Sequence, residues 1–256
     1  MKQIISIVIR YVPRKQLQLV GHFFAKALSI FYLGTGVECP VCHKKYRKFL
    51  PYGRKGRDNA LCPHCLALER HRLIWMYLEQ QTDFFSAPQK MLHIAPEYCF
   101  MERFESLDNL DYITADIESP LAKVKMDIHQ IPFPDNSFEC AMCNHVMEHV
   151  DNDRLAMKEI HRVLKPGGWA IIQVPFFPPL PESTYEDPAI TSAADRSKAF
   201  GQEDHVRLYG LDYKLRLESS GFLVKEDDFV ESLDPEIIEK HALPKEAIYF
   251  CRKSTV

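Results

Sequence analysis

Short apolar runs bounded by turn residues recur from about residue 89 to the C-terminus, and amphipathic segments separate them. Runs of this length are typical of buried strands, and their alternation with helical patterns predicts an α/β fold with a mostly parallel sheet and helices on both faces. Seven strands are predicted, at about 90–95, 111–116, 123–127, 139–145, 168–174, 222–229 and 246–252.

The clearest helix lies between the fourth and fifth predicted strands. Asp151 is the predicted N-cap, and Ala156, Ile160 and Val163 follow at the i, i+4, i+7 spacing of one helix face. The run Pro166-Gly167-Gly168 is expected to end the helix.

The first third of the chain has a different pattern. The apolar segment 16–33 contains Lys26 and His22, which favours a helix docked on the protein over a membrane span, with peripheral membrane contact through residues 1–36 as the alternative. Basic residues interrupt the apolar start of the chain, so a cytoplasmic location is expected. The predicted domains are a helical segment 1–36, a small module 37–70 that carries two cysteine pairs, a linking helix and loop 71–88, and an α/β domain 89–256.

Length and charge refine this division. A chain of 256 residues that is 46% hydrophobic can bury a sizeable core. The net charge of −3 hides an asymmetry, because residues 1–72 hold 14 Lys and Arg against 3 Asp and Glu, and the remainder holds 18 against 32. An anionic partner is therefore expected to meet the front of the chain.

Four of the eight cysteines form two Cys-x-x-Cys pairs separated by 19 residues. In a chain that is expected to stay in a reducing compartment, paired thiols at this spacing indicate a tetrahedral zinc site, which stabilises a small ribbon that cannot build its own core. A closed four-thiolate site has a structural role. His43 and His64 adjoin the pairs as less favoured ligands. The predicted ligands are Cys39, Cys42, Cys62 and Cys65.

Basic and aromatic residues alternate over residues 44–57, between the two cysteine pairs. Cations beside stacking aromatics are typical of surfaces that bind single-stranded nucleic acid, so RNA or another anionic partner is one hypothesis. The alternative is a solvated ribbon face whose aromatic residues, Tyr46, Phe49 and Tyr52, close the hydrophobic side of the module.

Polar residues cluster where the predicted strands end. Parallel sheets bind ligands beyond the carboxyl ends of their strands, at the point where strand order reverses. The polar residues at these ends are His93, Glu97, Asp116, Asp127, Asn144 and His145.

The run from Asp127 to Pro175, DIHQIPFPDNSFECAMCNHVMEHVDNDRLAMKEIHRVLKPGGWAIIQVP, resembles the later motifs of class I S-adenosylmethionine-dependent methyltransferases, especially the type 11 group. The segment YITAD, ending at Asp116, resembles the second motif of that family. The resemblance implies a Rossmann-like fold, S-adenosylmethionine as cofactor, and methyl transfer to an acceptor that the motifs do not identify, either a small molecule or glycan, or RNA.

The resemblance also implies roles for individual residues. Asp116 matches the acid that binds the ribose hydroxyls, and Asp127 with Ile128 matches the position that contacts adenine. Asn144 and His145 match the end of the fourth strand, where methyl donor and acceptor meet.

The first motif departs from the family pattern, because His93 stands in place of the usual acid and Ala95, Glu97 and Cys99 stand where glycines are expected. Ala95 is small enough for close approach of the cofactor, and Glu97 could supply the missing negative charge beside its ammonium or sulfonium group. Cofactor binding is therefore expected to be retained.

Two histidines are candidate general bases, since imidazole accepts a proton near neutral pH. They are His145 and His205, and the neighbours Arg207 and Tyr209 are candidates for binding the acceptor.

Two other functions compete with methyl transfer. The first is a non-catalytic zinc-ribbon and Rossmann-like module that binds nucleic acid or protein. The second is a zinc peptidase, because residues 145–149 match the H-x-x-E-H signature. That chemistry needs both histidines on one helix face, whereas the helix is predicted to begin only at Asp151.

Overall fold

The computed structural model describes residues 26, 29–53 and 56–255 of the chain. These residues divide into two compact units. The first unit comprises the described residues up to Ser86, with Glu97–Ser106 and Asp228–Glu246, and the second comprises Ala87–Pro96, Leu107–Asp227 and the described residues from Ala247 onward.

The strands, in chain order, are β1 (Leu33–Glu38), β2 (Lys45–Tyr46), β3 (Leu50–Tyr52), β4 (Arg57–Leu61), β5 (Gln89–Ile94), β6 (Leu110–Asp116), β7 (Val124–Lys125), β8 (Phe138–Asn144), β9 (Leu164–Gln173), β10 (Tyr185–Glu186), β11 (Arg207–Leu208), β12 (Leu223–Asp227) and β13 (Ile248–Arg252). The α-helices are α1 (Glu69–Gln81), α2 (Tyr98–Glu105), α3 (Asp153–Val163), α4 (Ala193–Phe200), α5 (Tyr213–Glu218) and α6 (Pro235–His241). Short 3-10 helices span Ile30–Tyr32 and Phe229–Ser232.

A seven-stranded sheet forms the centre of the second unit. Its strand order is β12-β13-β9-β8-β5-β6-β7, and β13 is the strand that runs antiparallel to its neighbours. The predicted α/β class and all seven predicted strands are confirmed. Strand order reverses between β5 and β8, which pair in parallel, so their carboxyl ends flank the position where such sheets bind ligands.

Apolar residues of the central strands and of α3 build the core of this unit. Leu92 of β5, Ala141 of β8 and Ile172 of β9 are fully buried, together with Met157 and Ile160 of α3. A strand covered on both faces reads as a nearly continuous apolar run, which is why the sequence located β5, β8 and β9 well.

Two boundaries differ from the prediction. The N-cap of α3 is Asn152 and not Asp151, because the Asn152 side chain accepts a hydrogen bond from the Leu155 amide. β9 begins at Leu164, directly after the helix, because Leu164 pairs with Phe138 before the strand bulges and resumes its pairing.

Among the described residues, the first unit contains two antiparallel hairpins, β1 with β2 and β3 with β4, and the α-helices α1, α2 and α6. Trp75 of α1 stacks on Phe100 and Phe104 of α2. On the same helix Tyr77 packs edge to face on Phe229. These aromatic contacts group α2 and residues 228–246 with the ribbon, so the continuous domain predicted at 89–256 is interrupted twice.

The predicted N-terminal helical segment 1–36 is wrong at its end, because Leu33 begins strand β1. The rest of this prediction, apart from residues 26 and 29–32, lies outside the described residues. Within the part of the chain that the structure describes, no helix has the length and apolar character needed to cross a membrane.

Candidate functional site

The four predicted zinc ligands converge in the first unit. The Sγ atoms of Cys39 and Cys65 lie 3.6 Å apart, and those of Cys42 and Cys62 lie 3.7 Å apart. A tetrahedral site with Zn–S bonds of about 2.3 Å requires S···S separations of about 3.8 Å. All four sulfurs lie within 4.8 Å of one another, so small side-chain movements would bring them to the distances of a zinc site.

Two equivalent turns present these sulfurs. His43 and Leu66 follow the second cysteine of each pair, and both adopt left-handed backbone conformations, with φ of 57° and 62°. In each turn the amide of that residue donates to the carbonyl of the first cysteine, Cys39 or Cys62. His43 is exposed and His64 is absent from the ligand cluster, which consists of the four cysteines.

Arg72 is a buried cation beside this cluster that the sequence analysis did not identify. The side chain is fully buried, and its guanidinium donates to the carbonyls of Asn59, Ala60, Ala67, His241 and Ala242 at 2.7 to 3.3 Å. Burial lowers the pKa of Arg72, and the nearby cysteine thiolates act in the opposite direction. A buried guanidinium balances part of the negative charge that four thiolates place on a zinc site.

The aromatic residues of the basic segment 44–57 are mostly internal. Tyr46 and Phe49 are buried, and the Arg72 guanidinium lies 4.2 Å from the centre of the Phe49 ring. Tyr52 is exposed, and Arg57 bonds to Glu69. Two of the three aromatics therefore close the ribbon core and offer no surface on which a base could stack.

Asp116 ends β6 in the second unit and is partly exposed. Its Oδ1 accepts from the amides of Glu118 and Ser119, at 2.7 and 2.6 Å. Both hydrogen bonds are accepted by the same oxygen, and together they fix the orientation of the carboxylate at the strand end. Oδ2 keeps its capacity to accept a further hydrogen bond.

Asp127 follows β7 and has the same arrangement. Its Oδ1 accepts from the backbone amide and the Nδ1 of His129, at 2.9 and 2.8 Å, and the backbone bond is the main reason that the pKa of Asp127 is lowered. The carboxylate is exposed and ionised at neutral pH. The next residue, Ile128, is buried in the core, so its side chain anchors the loop.

Ala95 retains a glycine-like backbone in the first loop. Its φ is 49°, which L-residues seldom adopt, and its amide donates to the Ala115 carbonyl at 2.8 Å. The loop thus keeps the conformation that glycine favours although no glycine is present. His93 is fully buried inside the sheet, and its Nδ1 lies 2.7 Å from the Tyr112 hydroxyl. The side chain therefore offers no exposed surface for the predicted contact with the cofactor.

Glu97 belongs to the first unit, where it is the N-cap residue of α2. Its Oε1 lies 3.7 Å from His71 Nε2, and its side chain is 14% exposed. The His71 Nδ1 accepts from the Leu68 amide, so the ring proton lies on Nε2 and faces the carboxylate. A role for Glu97 at the methionine end of the cofactor stays a prediction.

The end of β8 carries the other two predicted residues. Asn144 is buried, and His145 has a left-handed φ of 54° with its amide bound to the Gln173 carbonyl at 2.8 Å. The His145 ring is 25% exposed, with Nδ1 3.5 Å from Glu148 Oε1. The neighbouring strands β5 and β8 therefore both end in a non-glycine residue in a rarely populated conformation, which is typical of functional sites.

The predicted acceptor-side residues are internal. His205 is 1% exposed, which removes it from direct contact with an acceptor as a general base. Arg207 is buried and donates to the carbonyls of Met147, Val150 and Asp151, and the Tyr209 hydroxyl donates to Asp153. Arg207 thus holds the loop after β8 in place and Tyr209 bonds the first residue of α3, and a contact of either residue with an acceptor stays a prediction.

Ile117 was not identified from the sequence. It follows Asp116 directly and is 56% exposed, which is unusual for a large aliphatic side chain at the end of a central strand. The sequence carried one signal for this residue, namely an apolar side chain directly after the acid that ends a predicted strand.

Comparison with known proteins agrees with this geometry. Residues 90–172 match the family model described as a methyltransferase domain. A protein of transposon TN4556 from Streptomyces fradiae is 39% identical over 57 residues, which cover 22% of this chain and 16% of that protein. The ubiquinone/menaquinone biosynthesis C-methyltransferase of Hahella chejuensis is 32% identical over 65 residues, covering 25% of this chain and 22% of that enzyme.

Among solved structures, an S-adenosylmethionine-dependent methyltransferase from Archaeoglobus fulgidus is 19% identical, with a TM-score of 0.45 over 71% of this chain and 93% of that one. In the two sequence relatives, from Streptomyces fradiae and Hahella chejuensis, the matched segment spans only about a fifth of the length of each protein. The predicted enzyme class is confirmed at the level of the domain, because residues 90–172 match a methyltransferase domain.

Proposed function

We propose that the whole protein is an S-adenosylmethionine-dependent methyltransferase with a structural zinc ribbon. The observation that carries this proposal is the pair of carboxylates after β6 and β7. Asp116 and Asp127 are each oriented through Oδ1 by the loop that follows, and in each the second oxygen remains to accept from a ligand.

The cofactor site would follow from these positions. Asp116 would accept hydrogen bonds from the ribose hydroxyls, and the exposed side chain of Ile117 would offer an apolar contact to the adenine. Asp127 would accept from the exocyclic amine of the adenine, and the Ile128 side chain holds that loop to the core. The left-handed turn at Ala95 allows close approach of the methionine portion.

Bound S-adenosylmethionine supplies an activated methyl group on a sulfonium sulfur. The residues at the end of β8 would then orient the acceptor. Asn144 and His145 lie there beside the end of β5, where the strand order reverses. His145 is the better candidate base, because its ring is partly exposed whereas that of His205 is buried.

The acceptor class and the cellular setting belong to the proposal. The exposed cations Lys44, Lys45, Arg47 and Lys48 support an anionic partner, RNA included, through charge and not through base stacking. A small-molecule or glycan acceptor needs none of these cations. Eight free thiols favour a cytoplasmic location. Membrane contact through residues 1–36 stays a prediction.

Calorimetry of wild-type protein with S-adenosylmethionine and S-adenosylhomocysteine tests the cofactor site. Asp116→Asn keeps the Oδ1 acceptor for the two loop amides and replaces Oδ2 with a donor, so the loss of a charged hydrogen bond should weaken binding by about 10- to 100-fold. The matched control is Asp111→Asn at the opposite end of β6, where the carboxylate is exposed beside Lys90.

The absence of heat from both compounds with wild-type protein would leave the non-catalytic binding module. Equal affinity in wild type and the Asp116→Asn variant would remove Asp116 from the site. A labelled-methyl assay on fractionated RNA, protein and small metabolites then identifies the acceptor.

A further inference from the structure

A second cluster of metal-ligand side chains lies in the second unit, in the loop after β8 and the segment after α4. Glu148, His149 and His205 each place one ligand atom within 4.8 Å of the others. His149 Nε2 lies 3.8 Å from Glu148 Oε1. The Glu148 side chain is 1% exposed and that of His149 35%, so the cluster extends from the interior to the surface.

Backbone carbonyls fix the tautomers of both histidines. His205 Nδ1 lies 3.2 Å from the Phe200 carbonyl oxygen, and His149 Nδ1 lies 3.2 Å from that of Asp204. A carbonyl only accepts, so each Nδ1 carries a proton, and in the neutral imidazole Nε2 then carries the lone pair. Metal-binding histidines are usually oriented in this way, by donation of the other ring N–H to a carbonyl or carboxylate.

The loop that carries Glu148 and His149 is held in place. Arg207 is buried and donates to the carbonyls of Met147, Val150 and Asp151, on both sides of the two ligands. The amide of Val206 also bonds to the Glu148 carbonyl, which joins the segment before Arg207 to the same loop at 2.9 Å. The three ligand side chains are therefore supported by one network of backbone bonds.

We propose that Glu148, His149 and His205 bind a divalent transition-metal ion, for which Zn²⁺ is the best match. Two imidazoles and one carboxylate occur together in catalytic zinc sites, where the protein supplies three ligands and the fourth position stays open for water or substrate. Bonds of about 2.0 to 2.2 Å require ligand atoms about 3.4 Å apart, so binding requires the side chains to contract by roughly 1 Å.

This ligand set differs from that of a zinc peptidase. The H-x-x-E-H signature needs a helix that places His145 and His149 on one face, whereas residues 145–152 form turns here. Instead His145 lies 3.5 Å from the Glu148 carboxylate, and the third ligand comes from a segment more than fifty residues later. This step rests on the proposed function: the open position would bind a hydroxyl group of the methyl acceptor. The metal ion would lower the pKa of that hydroxyl, and its proton would leave to solvent.

Zinc content of the purified full-length protein, measured by mass spectrometry, tests the proposal. The variants are His149→Gln and His205→Gln, and the matched control is His161→Gln, a half-buried histidine on α3 outside the cluster. Each of the two variants should lose one equivalent of zinc relative to wild type and control, while the zinc of the four cysteines remains.

X-ray absorption at the zinc edge of wild-type protein provides a second readout that needs no substitution. A first shell with nitrogen or oxygen at about 2.0 to 2.2 Å, in addition to sulfur at about 2.3 Å, supports the site. A shell of sulfur alone, or equal zinc content in all four proteins, overturns it. Calorimetry with S-adenosylhomocysteine is unaffected by either result, so failure of this site is distinct from failure of the proposed function.

Discussion

The substitution Arg72→Met tests whether one buried cation holds the first unit together. The guanidinium reaches carbonyls of β4 at Asn59 and Ala60, of the second cysteine turn at Ala67, and of the end of α6 at His241 and Ala242. Methionine has a similar length and fills the volume, but it donates no hydrogen bond. The change therefore removes the bonds and the charge while it retains most of the packing.

The magnitude follows from burial and from the number of acceptors. A hydrogen bond to a charged group contributes about 1.5–3 kcal/mol, but five carbonyls that share one guanidinium are not additive. Removal of one partner from a buried charged network typically costs about 3–5 kcal/mol, and we expect a loss in this range. At an m-value of about 2–3 kcal/mol/M the urea midpoint should fall by about 1 to 2.5 M.

The assay uses the distribution of the two tryptophans, of which Trp75 belongs to the first unit and Trp169 to the second. Replacement of Trp169 by phenylalanine leaves Trp75, stacked on Phe100 and Phe104, as the fluorescence reporter of the first unit. The matched control is Arg57→Met, because that arginine is 53% exposed and pairs with Glu69. An exposed pair contributes about 0–1 kcal/mol.

Equal losses for Arg72→Met and Arg57→Met, or a loss below about 1 kcal/mol for Arg72→Met, would show that the buried guanidinium does not hold the unit. Arg72→Lys separates charge from geometry. Lysine keeps the charge but has three donors for five carbonyls, so its stability should fall between wild type and Arg72→Met.

Three further outcomes are expected. Chelation of zinc should unfold the first unit, seen as a red shift of Trp75 emission in the variant lacking Trp169, since the ribbon depends on metal for its core. Asp153→Asn should lower the free energy of unfolding at neutral pH by about 3–5 kcal/mol and flatten its pH dependence. The reason is that the buried Asp153 carboxylate accepts two hydrogen bonds from the guanidinium of Arg216. Burial raises the pKa of Asp153, but the interactions with Arg216 outweigh burial, so the pKa in the folded state is lowered. Wild type thus holds this stability above pH about 4 and loses it as pH falls through the folded value, which urea titrations at several pH values measure. Ala95→Gly should preserve cofactor affinity and stability, whereas Ala95→Val should lower the unfolding temperature and weaken binding, because a β-branched residue at a φ of 49° is strained by about 1–3 kcal/mol.

Sequence reasoning succeeded where the physical signal is local. The pairs Cys39/Cys42 and Cys62/Cys65 each lie on one turn, so their spacing alone reports the geometry that two thiolates need at a metal. Asp116 ends an apolar run, and a strand covered on both faces can be located from such a run without knowledge of its neighbours.

It failed where a residue's partners come from distant parts of the chain. Arg207 and Tyr209 resembled acceptor-binding residues because an arginine and a tyrosine in a polar loop are usually exposed, but both are buried, Arg207 against the loop after β8 and Tyr209 against Asp153 of α3. Arg72 was one of many cations in a basic segment, and its carbonyl partners at His241 and Ala242 lie 169 and 170 residues further along the chain.

The sequence by itself determined the seven strands, the pairing of the four cysteines on two turns and the carboxylates at the strand ends, because each depends on neighbours within a few residues. Only the tertiary structure decided that α2 and residues 228–246 belong with the ribbon, and that His205 joins Glu148 and His149. Those outcomes depend on which distant segments are buried together. Burial is a collective property of the folded chain, and no single stretch of residues encodes it.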